Sequence, residues 1–139
     1  MVSNHGGRQL DRAPAALDVL PAICEAAADK LTVMLDSGVR RGADILTALC
    51  LGARFVFVGR ATLYGAAAGG LPGVRKAIDI LRKEIDLVMA QIGCMSLEAL
   101  GPGFLSQSPA PVARTDAPAD RAEAPDSEER RLADNSTRR

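Results

Sequence analysis

The sequence has no tryptophan, one tyrosine, three phenylalanines and a single histidine in 139 residues. So few aromatic rings exclude a base-stacking nucleic-acid surface and the aromatic belts of a membrane protein. An excess of either charge is also missing: seventeen Lys and Arg balance seventeen Asp and Glu. That balance excludes a generally basic nucleic-acid binder and a generally acidic, solvating chain. No apolar run reaches membrane-spanning length, and the first residues carry no charged-then-apolar leader. Three cysteines, Cys24, Cys50 and Cys94, stand far apart with no CxxC pair. With one histidine they make no structural zinc set, and no metal is expected. They read as reduced, mostly buried thiols of a cytoplasmic chain.

What is present is an ordinary globular average, 47% hydrophobic and 24% charged, at a length that allows one modest domain. That average hides a break near Leu105. All thirteen glycines precede it, whereas 106–139 holds thirteen charged residues, four prolines and little apolar content beyond alanine. Such a segment buries too little to offset the entropy of ordering, so 106–139 is expected to be a disordered tail beyond a body at 1–105.

The body alternates. Residues 3–12 form a polar, glycine-rich loop. A helix is expected from about Pro14 to Asp29, with Leu17, Leu20, Ile23, Cys24 and Ala27 at helical spacing. Leu31–Leu35 and Phe55–Val58 are short apolar runs that read as buried strands. Between them Ala43–Leu51 reads as a helix closed by Gly52. A helix from about Ala61, a turn at 69–73 and a long amphipathic helix over Val74–Ile92 follow. The stripe of that last helix (Val74, Ala77, Ile78, Leu81, Ile85, Val88, Met89, Ile92) is expected to pack in the core. Ser96 is expected to cap a final turn to Leu100. Two buried strands joined by a helix imply an α/β fold with a parallel sheet.

Three loops carry residues with chemistry. His5, beside Gly6, Gly7 and Arg8, joins a group that titrates near neutrality to a fork that matches a carboxylate. Read alone, such a loop near a terminus is more often a solvated surface segment. Asp36, Ser37, Gly38, Val39, Arg40 and Arg41 leave a strand and open a helix, where backbone N–H groups favour an anion. An ordinary strand-to-helix turn has the same composition. Gly59 and Arg60 repeat the arrangement one βα unit later. Two successive strand ends of this kind suit a single phosphate held between them.

Taken together these residues resemble a known family. Ser3-Asn4-His5-Gly6-Gly7-Arg8-Gln9-Leu10-Asp11 resembles the active-site signature of the FMN-dependent α-hydroxy-acid dehydrogenases and oxidases, which include glycolate oxidase, L-lactate dehydrogenase and mandelate dehydrogenase. Leu35–Asp44 resembles that family's flavin-phosphate loop, and Phe57-Val58-Gly59-Arg60 its second phosphate loop. Gly59–Gly65 and Gln91–Cys94 resemble the mandelate dehydrogenase branch. The resemblance covers about residues 2–105. It implies the C-terminal part of a TIM (β/α)8 barrel binding FMN at the C-terminal face of its strands. His5 would be the catalytic base, and Arg8 would hold the substrate carboxylate. Asp36, Ser37, Gly38, Val39, Arg40, Gly59 and Arg60 would contact the FMN phosphate.

The implied reaction oxidises a small L-2-hydroxy acid, of the lactate, glycolate or mandelate type, to the 2-keto acid. Two departures stand out. Ser37 replaces a glycine common in the family, a minor loss unless positive φ is required there. The chain also supplies two strands where a whole barrel has eight and takes about 250 residues. The expectation is therefore a segment not active alone. The alternatives are a non-catalytic FMN- or phosphate-binding remnant, and a part-barrel subunit completed by another chain or by copies of itself. Peripheral membrane association of a full-length parent is left open.

Overall fold

The structure, a computed structural model, describes residues 1–106. The expected tail, Ser106 apart, lies outside the described residues. The first helix, α1 (Ala16–Ala27), starts two residues later than Pro14 and carries Pro21 within it. It ends where Ala28 takes a positive φ of 44° and a 3-10 turn runs over Ala28–Lys30. Strand β1 (Met34–Leu35) leads to α2 (Gly42–Cys50), and β2 (Phe55–Val56) leads to α3 (Arg60–Gln91). Two 3-10 turns close the described chain, Leu97–Ala99 and Pro102–Phe104.

The strands pair in parallel, Met34 opposite Phe55 and Leu35 opposite Val56. Val2 pairs in parallel with Leu35 on the other side of β1. The Val2 N–H donates to the Met34 carbonyl at 2.6 Å, and the Asp36 N–H donates to Val2 at 3.0 Å. The spatial order is thus Val2, β1, β2, with β1 in the middle.

Both strands are shorter than the apolar runs that announce them, because pairing sets their ends. Before Met34, Leu31 is 72% exposed and makes no ladder bond. The chain preceding β2 is still turning out of α2 through Gly52, whose φ is 105°. After Leu35, the Phe57 N–H makes one more ladder bond to the Leu35 carbonyl at 2.8 Å. The chain then turns away at Ser37.

The expectation that Phe55–Val58 is a buried strand is corrected. Phe55 and Phe57 are 55% and 44% exposed, because no described element covers their side of the sheet. The core lies on the α1 side. It joins Leu20, Leu35, Val2, Val33, Val39, Ala48 and Ala53, with Leu20 and Leu35 wholly buried.

The long helix also departs from its expected outline. It breaks at Gly69 and Gly70 alone, and Leu71 and Pro72 already belong to the second arm. Proline there occupies a first helical turn, where its missing N–H leaves no bond unmade. Within the expected core stripe only Leu81 is buried, while Ile78 and Ile92 stay 42% and 37% exposed. Ser96 precedes the Leu97–Ala99 turn as expected, but its side chain makes no capping bond. Cys50 and Cys94 are buried, Cys24 is half-buried, and all three thiols are free.

Candidate active site

Loops that follow parallel strands leave at the same end of the sheet, where open α/β folds place their ligands. Here three such loops converge: 3–8 after Val2, 36–41 after β1 and 57–60 after β2. Together they line an open cleft of about 670 Å³. His5, Asp36, Ser37, Gly38, Val39, Arg40, Gly59 and Arg60 all contribute to its lining. Arg8 does not: it is exposed on the same loop as His5 but outside the cleft lining. Val39 lines the cleft although most of its surface is buried in the core.

The loop carrying His5 is a tight series of turns. His5 and Arg8 hold positive φ values of 53° and 39°, flanking Gly6 and Gly7 at 74° and 84°. The Asn4 side chain fixes the turn from both ends, donating to the Pro14 carbonyl at 3.0 Å and accepting from the Gly6 N–H at 2.9 Å. The Ser3 hydroxyl accepts from the His5 N–H at 3.1 Å.

The loop after β1 turns on Ser37, whose φ is 83°. Positive φ is therefore required where the sequence puts serine, and the departure from glycine is not minor: a left-handed L-residue is strained by roughly 1–2 kcal/mol. The hydroxyl offsets that strain by serving as a junction. It donates to the Asp36 carboxylate at 2.8 Å and accepts from the Asn4 and Gly6 N–H groups at 3.2 and 3.3 Å. Beyond it, the Asp44 carboxylate accepts from the Arg40 and Arg41 N–H groups, both at 2.9 Å. Arg41 turns outward to Glu84. Arg40 and Arg60 make no ion pair among the described residues and remain on the cleft.

A phosphate-bearing cofactor fits this arrangement. The cleft falls in the range of about 300–1,000 Å³ usual for small-molecule sites. A Cβ built on Gly38 or Gly59 would meet nothing within 4 Å, so backbone faces the cleft unobstructed at both turns. The first turn of α3 adds N–H groups with no intrahelical partner. Arg40 and Arg60 supply positive charge on either side.

Sequence reasoning missed the residues that hold these loops. Asn4, Ser3 and Asp44 carry the ordinary signature of turn and helix-start residues and were findable on that ground. Glu84, which bonds Arg41 and Gly42 at the start of α2, gave no local signal, and neither did Tyr64, which lines the cleft.

Comparisons with known proteins agree with the fold. Residues 1–107 match the family model described as FMN-dependent dehydrogenase. The chain is 51% identical over 105 residues to L-lactate oxidase of a Nostoc species, covering 76% of this chain and 29% of that one. It is 48% identical over 109 residues to human 2-hydroxyacid oxidase 1, covering 78% and 30%. Among solved structures, it superposes with a TM-score of 0.72 on a soluble mutant of the membrane-associated (S)-mandelate dehydrogenase from Pseudomonas putida, at 48% identity, covering 77% and 30%. The chain thus spans about 30% of the length of the relatives it matches. The solved structures it resembles are TIM-barrel flavoenzymes, and the described residues form the C-terminal part of such a barrel, two parallel strands and the Val2 stub with their helices. The chain belongs to the family of FMN-dependent dehydrogenases.

Proposed function

We propose that this chain supplies the phosphate-binding and proton-transfer segment of an enzyme that oxidises a small L-2-hydroxy acid to the 2-keto acid with FMN. The observation that carries the reading is the convergence of the His5, Asp36–Arg40 and Gly59–Arg60 loops on one cleft. FMN, when held there, would supply the two-electron acceptor for the hydroxy acid. The chain's own residues do the rest. The N–H groups of the Gly38 and Gly59 turns, with Arg40 and Arg60, hold the phosphate. His5 takes a proton from the substrate. Arg8, exposed on the same loop outside the cleft lining, would turn its guanidinium toward the substrate carboxylate. The barrel segment runs over 1–105 and works in the cytoplasm, in keeping with three free thiols.

The test is a titration of the 139-residue chain with FMN, followed by quenching of flavin fluorescence, beside one with riboflavin. FMN is expected to bind more tightly than riboflavin. Arg60→Ala is expected to weaken FMN by about tenfold or more, the effect of one charge-assisted hydrogen bond, and to leave riboflavin unchanged. Equal binding of FMN and riboflavin, or no effect of the substitution, overturns the phosphate assignment.

A second reading has its own observation. The outer edges of Val2 and β2 are unpaired among the described residues, and Phe55 and Phe57 are exposed beside the second of them. An unpaired, apolar edge seeks another strand. On this reading the chain is completed by further barrel strands, whether in a longer polypeptide, a second chain or another copy. Alone it binds FMN without oxidising lactate, glycolate or mandelate.

A further inference from the structure

We infer that Ser37 is a positioning residue that ties the loop carrying His5 to the phosphate-binding loop. The inference rests on the roles proposed above for those two loops. A serine hydroxyl has one proton to donate and two lone pairs to fill. In Ser37 all three are used: the proton goes to Asp36, and the lone pairs take the N–H groups of Asn4 and Gly6. Those two residues flank His5 directly. The backbone on both sides of the imidazole-bearing residue is therefore anchored to a side chain 33 and 31 positions away.

A second contact joins the same loops. The Arg60 guanidinium lies against Gly6, where a Cβ would approach its terminal nitrogen to 2.9 Å. Gly6 thus touches both of the turns proposed to hold phosphate, through Ser37 on one side and Arg60 on the other. The strained φ of 83° makes sense in these terms. Glycine would adopt that conformation freely but would leave the Asn4 N–H without its acceptor. Serine accepts the strain and keeps the loop in place.

Two variants separate this role from a merely structural one. Ser37→Gly removes the hydroxyl bonds and also the strain they offset, so its unfolding midpoint is expected to change little or fall slightly. Ser37→Ala removes the hydroxyl and keeps the strain. Amide hydrogen exchange of the 139-residue chain is the readout. In both variants the Asn4 amide is expected to exchange about fivefold faster, the effect of one lost hydrogen bond. Gly6 should respond less, because the Asn4 side chain also accepts from it. The Val2 and Leu10 amides, bonded to Met34 and Gly7, should be unchanged.

Unaltered exchange at Asn4 in Ser37→Gly overturns the proposal. Faster exchange at Asn4, Val2 and Leu10 alike in Ser37→Gly overturns it too, since the effect is then global. If Ser37→Ala unfolds, Ser37→Gly alone decides. FMN binding is measured separately on the same samples. A chain that fails to bind FMN but shows the expected exchange pattern sinks the functional reading and leaves the positioning role standing.

Discussion

Glu84 accepts the Arg41 Nε proton at 2.8 Å across a sequence separation of 43 residues. Its second oxygen accepts the Gly42 N–H at 2.7 Å. One carboxylate on the second arm of α3 therefore closes the first turn of α2, directly behind the loop that lines the cleft. The two bonds are unequal. The Arg41 side chain is 73% exposed, where an ion pair contributes little, whereas the Gly42 N–H is half-buried and bonds a charged acceptor. Glu84→Ala is expected to cost about 2 kcal/mol. Arg41→Ala should cost less than about 1 kcal/mol. Urea unfolding of the two variants checks the order, and a larger loss from Arg41→Ala would refute this division.

The two arms of α3 meet glycine on glycine. A Cβ on Gly65 would lie 2.6 Å from the Gly73 carbonyl oxygen, and one on Gly73 would run into the Gly65 carbonyl. Alanine favours a helix over glycine by roughly 1 kcal/mol, but forcing a methyl between two backbones costs about 1–3 kcal/mol or more. Gly73→Ala is therefore expected to lower the unfolding midpoint despite its better propensity. A raised midpoint would show that the arms separate without cost.

Burial pushes the Cys24 and Cys50 thiols above their ordinary range. For Cys50 a hydrogen bond with the Gly101 backbone opposes the effect of burial in part, and a weaker repulsion from Cys94 adds to it. A raised thiol keeps its proton longer in the folded chain than in the unfolded one. Above the ordinary thiol value of about 8.5, the unfolded state binds fewer protons, so stability falls as pH rises. Stability is expected to be flat from pH 7 to 8 and to decline by pH 10. Denaturant midpoints at these values measure it. The decline should shrink in the Cys24→Ala, Cys50→Ala double variant, and an unchanged slope there would assign it to other groups.

The rings of Phe55 and Phe57 face each other at 5.0 Å, tilted by 55°, on the open side of the sheet. Their exposure beside an unpaired edge predicts concentration-dependent self-association of the 139-residue chain. Sedimentation velocity should show species heavier than 14.5 kDa. Phe55→Lys should shift the distribution toward monomer. A monomer at all concentrations in the unaltered chain would count against the edge as an interaction surface.

Much of this fold and site is written locally. The apolar runs before Asp36 and Gly59 mark the strands, Gly52 marks the end of α2, and the loops of His5, Arg40 and Arg60 stand out by composition. What the sequence leaves unsaid is what each face meets. Helical periodicity shows that Ile78 and Ile92 share an apolar stripe, but not that both stay partly exposed. Strand ends follow the partner strand, so Leu31 and Val58 fall outside the ladder despite their apolar character. Glu84 looks like any helix-surface acid, because its meaning lies in a contact made 43 residues away. Ser37 is the subtler case: its identity is plain, but the φ of 83° that makes it costly, and the hydroxyl bonds that offset the cost, exist only in the folded loop.

His5 is the one imidazole in the chain, and it sits in the lining of the cleft. In heavy water the imidazole Hε1 proton resonates downfield of the phenylalanine and tyrosine ring protons. Every imidazole signal in a proton spectrum of this protein therefore originates at the cleft, without isotopic labelling or assignment. Its movement on adding a carboxylate, a phosphate or a flavin would report directly which of them arrives, and at what concentration.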